Sequence, residues 1–304
     1  MREHDKRQSK NHAKLASLWL ALARGYLSIQ NLSKIKYRVD DVIQEQESQH
    51  ASNSQPITLV AHIYYKEFLD DLFAFCQQMP IASKIYLSTC DPNIKKLVEK
   101  RVMNNLVHQE VRLVPNRGRN FAPLLVEFRK ELLREDNFIH VHSKKSSHSS
   151  ISLQEQWGPR SYQLLLDLEK IQRMSEIFAV NENIGLIYAS PAGLLRKINA
   201  YWGLNAKQFY THSKLGVFHS LVRPKEYLHY PMGGMFYVRT SAIRQLLEIP
   251  WEYKDFPSEF GQFDGTPQHA IERLIGVLNF ENGFEIAEYQ AGTDKFAVRR
   301  RFDK

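Results

Sequence analysis

The chain has 304 residues, a formal net charge of +8 at pH 7, 43% hydrophobic residues and 24% charged residues. This composition supplies a sizeable core and excludes a disordered or fibrous protein. The basic charge is compatible with phosphate-rich substrates, anionic lipid surfaces and nucleic acid, so motifs must decide among them. Cys76 and Cys90 form neither a C-x-x-C nor a zinc-ligand pattern, which favours a reducing cytoplasm.

The first 50 residues predict a helical extension. Their apolar patch, residues 15–23, is shorter than the roughly 20 residues that cross a bilayer. Glu3 and Asp5 lie in the basic segment before it and argue against a signal peptide. We expect an amphipathic helix that either packs on the protein or lies on a membrane surface. A polar, turn-rich linker then leads to the main domain, which is predicted to span residues 57–304.

Strands and helices alternate from residue 57 onwards. Hydrophobic patterning predicts strands at 57–64, 84–88, 111–114, 138–142, 184–188, 235–238 and 284–287. It predicts helices at 68–78, 94–104, 121–133, 154–180, 241–247 and 268–278. Such alternation is typical of an α/β domain with a mostly parallel, Rossmann-type sheet and helices on both faces.

Ligands of such sheets bind beyond the carboxyl ends of the strands, and polar segments follow several strands here. Arg117 and Arg119 flank Gly118 directly before a predicted helix. Backbone amides, a helix N-terminus and two guanidinium groups converge in this arginine turn (residues 116–120), which favours an anion such as phosphate. The alternative is a loop whose arginines bond neighbouring carbonyls or water.

A second basic segment, the lysine turn (residues 143–148), ends the next predicted strand. Strand alternation puts His140 and His142 on one face, so they are candidates for a metal site and a hydrolase function. Lys144 and Lys145 would repel a cation, however, and suit a diphosphate better. The other alternative is that the two histidines are hydrogen-bonded polar groups at a strand end.

The densest polar cluster is the acidic turn (residues 258–266) and the helix that follows it. Thr266 before Pro267 predicts the helix start. His269, Glu272 and Arg273 then lie near one helical face. A carboxylate of the turn suits a general base, whereas the alternative is a capping turn with a surface ion pair.

Gly233 and Gly234 precede the strand predicted at 235–238. Glycine lets a backbone approach a ligand closely, and a β-bulge is the equal alternative.

Five motifs together resemble the rhamnan synthesis protein F family over about residues 57–290. They are HIYYKEF, NRGRNFAP, HVHSKKS, MGGMFYVR and EFGQFDGTPQHAIERL. The layout is also similar to the glycosyltransferase-A fold, in which an N-x-G loop and helix lead to a strand that ends in an Asp-x-Asp metal motif. His140-Val141-His142 occupies that place here, so we expect no metal, with a divalent cation near His140 and His142 as the alternative. The family's aspartate after N-R-G-R is Asn120 in this chain.

The resemblance implies a role for each polar segment. Thr89 and Asp91 would lie near the nucleotide base, and Asp264, or second Glu259, would be the catalytic base. The residues implied at the donor diphosphate are Asn116, Arg117, Gly118, Arg119, His142, Lys144 and Lys145. Those implied at the acceptor sugar are Gly234, Met235, His269, Glu272 and Arg273.

These roles describe an inverting hexosyltransferase. It would move a sugar, rhamnose at the family level, from a nucleotide diphosphate to a lipid-linked glycan of O-antigen, capsule or rhamnan. The alternative is a non-catalytic glycan-binding or scaffold module of a polysaccharide synthesis complex. No nucleic-acid recognition motif is visible, so we expect no nucleic-acid partner. The expected location is the cytoplasm, with peripheral contact to the inner face of the cytoplasmic membrane.

Overall fold

A computed structural model describes most of the chain from residue 55 onwards. The described residues are 43, 55–101, 103, 105–143, 157–191, 200–223, 225–259, 261–262 and 264–301. The predicted N-terminal extension, except Ile43, lies outside this set, and so do Lys144 and Lys145. The division into an extension and a main domain therefore stays a prediction.

One eight-stranded sheet organises the described residues. Its strands are β1 (Thr58–His62), β2 (Lys84–Thr89), β3 (His108–Leu113), β4 (Asn137–His142), β5 (Ile184–Ala189), β6 (Phe236–Arg239), β7 (Glu285–Gln290) and β8 (Lys295–Arg299). Their order across the sheet is β3-β2-β1-β4-β6-β5-β7-β8. Only β6 and β8 run antiparallel to their neighbours. The predicted α/β class with a mostly parallel sheet is confirmed, and β8 is a strand that the sequence patterning missed.

Helices connect and cover the strands. The α-helices are α1 (Phe68–Cys76), α2 (Pro92–Glu99), α3 (Arg129–Leu132), α4 (Trp157–Leu165), α5 (Leu168–Val180), α6 (Gln208–Thr211), α7 (Arg244–Glu248) and α8 (Pro267–Glu281). A π-helical turn spans Pro123–Glu127, and 3₁₀ turns span Gly203–Lys207, Leu215–Leu221, Thr240–Ile243 and Tyr253–Asp255. Among the described helices, none combines the length and the apolar character needed to cross a bilayer.

Two predicted helices are interrupted. The helix predicted at 121–133 contains the π-helical turn, which begins at Pro123, a residue without an N–H to donate. The helix predicted at 154–180 is divided because the Asp167 side chain accepts the backbone N–H of Lys170 at 3.1 Å and caps α5.

Apolar side chains of the central strands alternate between two cores. In β1, Val60 packs in one buried cluster, whereas Leu59 and Ala61 pack in the other. Because successive strand residues point to opposite faces, the two clusters lie on the two faces of the sheet. The central strands are therefore buried on both sides, and polar groups concentrate at strand ends.

The chain changes direction across the sheet between β1 and β4. From β1 it moves outwards to β2 and β3, and it then returns to β4 on the other side of β1. This is a topological switch point, where open α/β sheets bind their ligands beyond the carboxyl ends of the strands. His62 and His142, the last residues of β1 and β4, are direct partners in the pairing.

Candidate functional site

A cleft of about 460 Å³ opens at the switch point between β1 and β4. Its walls come from the segments after β1, β3 and β4, from the loop before β6, and from the acidic turn with the start of α8. The residues lining it are His62, Tyr64, Tyr65, Asn116, Arg119, Asn120, Phe121, His142, Ser143, Gly233, Glu259, Gly261, Gln268, His269 and Glu272.

The arginine turn forms one wall through two consecutive left-handed residues, Gly118 (φ +65°) and Arg119 (φ +53°). A Cβ on Gly118 would lie 2.5 Å from the Ala122 Cβ and 2.7 Å from the Phe256 ring, so only glycine fits there. A left-handed backbone costs about 1–2 kcal/mol in a residue that carries a side chain, as Arg119 does. The backbone of the turn is thus strained at Arg119, and this strained conformation places the Arg119 side chain at the cleft.

Arg119 bonds both the acidic turn and α8. Its Nε lies 3.4 Å from the Glu259 carboxylate, its Nη1 lies 3.0 Å from His269 Nε2, and its Nη2 donates to the Gln262 carbonyl. Arg117 adds a 3.1 Å hydrogen bond to the Ser258 hydroxyl and a backbone bridge to the same residue. The arginine turn and the acidic turn therefore meet at one cleft. Of the lysine turn only Ser143 is described, and it lines the same cleft.

His269 is held as a neutral imidazole. Arginine can only donate, so His269 Nε2 accepts from Arg119 and the ring proton lies on Nδ1, which donates to the Thr266 hydroxyl at 2.7 Å. Burial, together with the charges of Arg119 and Arg273, lowers the pKa of His269 to about 3. At neutral pH this side chain orients Arg119 and carries no charge of its own.

Three histidines from β1 and β4 lie on one face of the sheet. His140 Nδ1 donates to the Gly234 carbonyl at 2.8 Å, and His142 Nε2 donates to the Gly233 carbonyl at 2.6 Å. Burial, followed by the charge of His142, lowers the pKa values of His62 and His140 to about 3. The rings of His140 and His142 thus fix the loop before β6 against the sheet.

The sequence left a metal ion near His140 and His142 as the alternative to a metal-free site. Within the part of the chain that the structure describes, no group of three or more histidine, cysteine, aspartate or glutamate residues is arranged to hold a metal ion. The choice between a metal-free site and a divalent cation near His140 and His142 stays a prediction.

The two candidate bases lie in different surroundings. Glu259 lines the cleft, its side chain is 15% exposed, and it accepts a hydrogen bond from Gln268 Nε2 at 3.2 Å. Asp264 is not among the lining residues. It accepts from Asn205 Nδ2 at 2.7 Å and lies 3.6 Å from the buried Arg273 guanidinium. Of the two candidate bases, Glu259 is therefore the one that a ligand in the cleft can contact, although the resemblance favoured Asp264.

The residues predicted at the acceptor sugar divide in the same way. His269 and Glu272 line the cleft, and Glu272 accepts the Gly233 backbone N–H at 2.5 Å. Arg273 is buried behind them, where it donates to the Tyr201 carbonyl at 3.0 Å. Met235 is buried in the core. Gly234 contributes its carbonyl to His140 and does not line the cleft.

Thr89 and Asp91, predicted near a nucleotide base, stabilise the turn between β2 and α2. The Thr89 hydroxyl accepts the Asp91 backbone N–H at 3.1 Å, and the Asp91 carboxylate caps α2 by accepting from the Asn93 N–H at 2.7 Å. Neither lines the cleft. Both lie at the carboxyl end of a strand next to β1, and their role with a nucleotide stays a prediction.

Sequence reasoning missed the wall that follows β1. The rings of Tyr64 and Tyr65 meet edge to face at 4.9 Å, and the Ser143 hydroxyl accepts the backbone N–H of both residues at 2.6 and 2.9 Å. The rule that directed attention to the ends of the second, third and fourth strands applies equally to the first. The motif HIYY, directly at the end of β1, was the available signal.

Comparisons with known proteins give a family and two relatives. The family model described as rhamnan synthesis protein F matches residues 21–284. The chain is 28% identical over 232 residues to "Uncharacterized protein WxcX" of Xanthomonas campestris pv. campestris strain B100, and equally so to the protein of that name in strain ATCC 33913. Each alignment covers 75% of this chain and 32% of the relative. The chain thus spans about a third of the length of the curated relatives that it matches.

Proposed function

Because this chain belongs to the rhamnan synthesis protein F family, a family of polysaccharide synthesis, we propose that it is a glycosyltransferase. It transfers a sugar from a nucleotide diphosphate to a growing cell-surface polysaccharide. Rhamnose is the family-level donor sugar, and O-antigen, capsule or rhamnan is the product. The observation that carries the proposal is the bonding of Arg119 to both Glu259 and His269 in a cleft at the switch point.

The donor diphosphate binds beside the arginine turn. Arg119 supplies a guanidinium whose planar donors match phosphate oxygens, and Asn116 lines the same wall. Before the donor binds, the neutral imidazole of His269 holds Arg119 at the wall of the cleft without adding a second charge. Lys144 and Lys145, which follow Ser143 directly in the sequence, neutralise the rest of the diphosphate. In this proposal lysine and arginine take the place of the metal ion of glycosyltransferase-A enzymes.

Glu259 is the general base in this proposal. The acceptor hydroxyl oxygen attacks the anomeric carbon of the donor sugar while the bond from that carbon to the diphosphate oxygen breaks. The electron pair of the broken bond leaves on the diphosphate, and the hydroxyl proton passes to the Glu259 carboxylate. This single displacement inverts the anomeric configuration.

The contact between Arg119 and Glu259 adds a requirement. At 3.4 Å from the carboxylate, the guanidinium cannot neutralise a diphosphate on the opposite side of the sugar. Transfer therefore requires the Arg119 side chain to turn from Glu259 towards the diphosphate. The same movement leaves the Glu259 carboxylate available to the acceptor hydroxyl.

The first experiment measures donor binding and turnover by the purified chain. Calorimetry with thymidine, uridine and guanosine diphosphates identifies the nucleotide, and the matching nucleotide sugars are then tested for turnover with lipid-linked glycan acceptors. Glu259→Gln is expected to lower kcat by a factor on the order of 100–10,000, the usual contribution of a general base, while nucleotide affinity changes little. Arg119→Ala is expected to weaken nucleotide affinity.

Asp264→Asn is the matched control, because it makes the same chemical change in the same turn outside the cleft. Its kcat should stay near that of the wild type. Loss of turnover in Asp264→Asn with full turnover in Glu259→Gln would move the base to Asp264. Full activity in Glu259→Gln and Arg119→Ala would refute both roles. Glycan binding without affinity for any nucleotide diphosphate would favour the non-catalytic module.

A further inference from the structure

Three short helical turns beside the cleft expose large apolar side chains. They are the 3₁₀ turn Gly203–Lys207, helix α6 and the 3₁₀ turn Leu215–Leu221. Their inner residues, such as Phe209 and Phe218, are buried in the core. Each turn also carries one exposed large apolar side chain, and we call the group of Leu204, Tyr210 and Val217, which are 64%, 65% and 67% exposed, the outer face.

The outer face accounts for a third of the exposed large apolar side chains among the described residues. The other exposed large apolar side chains are Tyr64, Ile81, Leu97, Val107, Leu113 and Val180. Those six lie between residues 64 and 180, whereas the outer face places three within residues 204–217, in turns that pack on one another. A local group of exposed apolar side chains indicates an interaction surface.

The chain segment that carries the outer face is basic in sequence. Residues 183–225 contain no aspartate or glutamate and six basic residues, a formal charge of +6 compared with +8 for the whole chain. Those basic residues are Arg196, Lys197, Lys207, Lys214, Arg223 and Lys225. Lys214 is paired with Asp255, whereas Lys207, Arg223 and Lys225 are exposed. These exposed basic side chains favour a partner that is anionic as well as apolar.

We propose that the outer face, together with the exposed Lys207, Arg223 and Lys225, docks on an anionic lipid bilayer. Leucine and valine side chains insert into the boundary between headgroups and acyl chains, and a tyrosine ring is suited to the same depth. Lysine and arginine remain at the anionic headgroups, where each contributes attraction that salt weakens. The combination matches a lipid surface better than nucleic acid, which offers no apolar layer for Leu204 and Val217.

Hydrogen bonds connect this surface to the cleft. Gln208 Nε2 donates to the Gly265 carbonyl at 2.6 Å, and Asn205 bonds Asp264 at 2.7 Å and the Gly265 N–H at 3.1 Å. The helical turns are thus bonded to the acidic turn that forms one wall of the cleft. Docking would hold the cleft beside the lipid surface, where a lipid-linked acceptor presents its sugar, and this last step rests on the proposed function.

Vesicle flotation of the full chain tests the proposal. Vesicles of phosphatidylcholine alone are compared with vesicles that contain about one third phosphatidylglycerol. The wild type should float only with the anionic vesicles, and less so at high salt. The triple variant Leu204→Ser, Tyr210→Ser, Val217→Ser should bind roughly tenfold more weakly or worse. Lys207→Gln should lower binding roughly fivefold, which corresponds to about 1 kcal/mol per basic side chain near an anionic leaflet.

A triple variant elsewhere is the matched control. Ile81→Ser, Val107→Ser and Val180→Ser remove side chains that are 84%, 63% and 76% exposed, and vesicle binding should be unchanged. Wild-type binding in the outer-face variant would overturn the proposal, and so would a wild type that does not float. Loss of self-association by the outer-face variant, with lipid binding intact, would instead identify a second copy as the occupant. A chain that floats but never turns over refutes only the transferase, whereas turnover of a soluble acceptor without flotation refutes only the docking surface.

Discussion

Replacement of Arg119 by alanine and by glycine should separate backbone strain from ligand binding. Both variants lose the hydrogen bond to His269 and the partly exposed ion pair with Glu259, which together contribute about 2 kcal/mol. Alanine retains the left-handed backbone at φ +53°. Glycine relieves about 1–2 kcal/mol of that strain and costs about 0.4–1 kcal/mol through the entropy of the unfolded chain. The glycine variant should therefore be about 1 kcal/mol more stable than the alanine variant.

Two assays measure the two effects. Urea unfolding gives the free energy of unfolding, and the slopes of the two variants should agree because they expose the same surface. Calorimetry with the nucleotide diphosphate should give the same loss of affinity for both variants, roughly 10- to 100-fold, as expected for charge-assisted hydrogen bonds. Relief of the backbone strain in the glycine variant cannot replace the guanidinium that both variants lack.

Ala82 provides an internal control for the strain. It also has a left-handed backbone, at φ +72°, and it is exposed and does not line the cleft. Ala82→Gly should raise stability by a similar amount, up to about 1 kcal/mol, and leave nucleotide affinity unchanged. An Arg119→Ala variant as stable as Arg119→Gly would refute the assignment of strain. Different nucleotide affinities in the two Arg119 variants would refute the assignment of binding to the guanidinium alone.

Three further changes probe the frame around the cleft. Glu288→Gln leaves the buried Arg299, 2.6 Å away, without its counter-charge, and urea unfolding should show a loss of about 3–5 kcal/mol. Gly276→Ala would push a Cβ into the backbone carbonyl of His229, so thermal unfolding should show a melting temperature several degrees lower. The pKa of His269 is about 3 in the folded chain and near 6.5 when unfolded, so the unfolded chain binds its proton more readily. Stability should therefore fall as the pH drops from 6.5 towards 3, by about 2 kcal/mol at pH 5 from this residue alone.

Each of these predictions has a matched comparison. Glu285→Gln breaks a more exposed pair with Arg300 and should cost less than about 1 kcal/mol. Gly292→Ala, where an added Cβ meets nothing within 4 Å, should leave the melting temperature nearly unchanged. A His269→Gln variant should lose its share of the pH dependence. Equal effects in the test variants and their comparisons would contradict the roles of the buried ion pair, the close backbone approach and the buried imidazole.

The fold was predictable where local patterning decides. Short apolar runs in the sequence indicate the alternating strands and helices, because each run buries its side chains against the sheet in the same way. The last strand, β8, was harder to predict from the sequence. β8 has only five residues, of which Phe296, Ala297 and Val298 are buried, and its identity depends on antiparallel pairing with β7. Pairing of that kind is a tertiary contact that a single short run does not specify.

The meeting of two predicted turns at one cleft was predictable from the sequence, and which side chains line that cleft was less so. The rule on strand ends and the motifs brought the arginine turn and the acidic turn to one cleft. Which of Glu259 and Asp264 lines the cleft could not come from the sequence, since both lie in one turn that reverses at the left-handed Gly261 and Gly265. Asp264 is directed away by Asn205, which belongs to helical turns that the patterning left unassigned.

The bond between Arg119 and Glu259 also has a consequence for protein synthesis, because it joins residues 140 positions apart. A nascent chain that has emerged from the ribosome as far as residue 250 contains β1 to β6, yet it lacks the acidic turn and α8. Arg119 then has none of its partners from these segments. A ligand of the cleft would therefore stabilise only chains whose translation has passed α8, and it could not assist the folding of shorter ones.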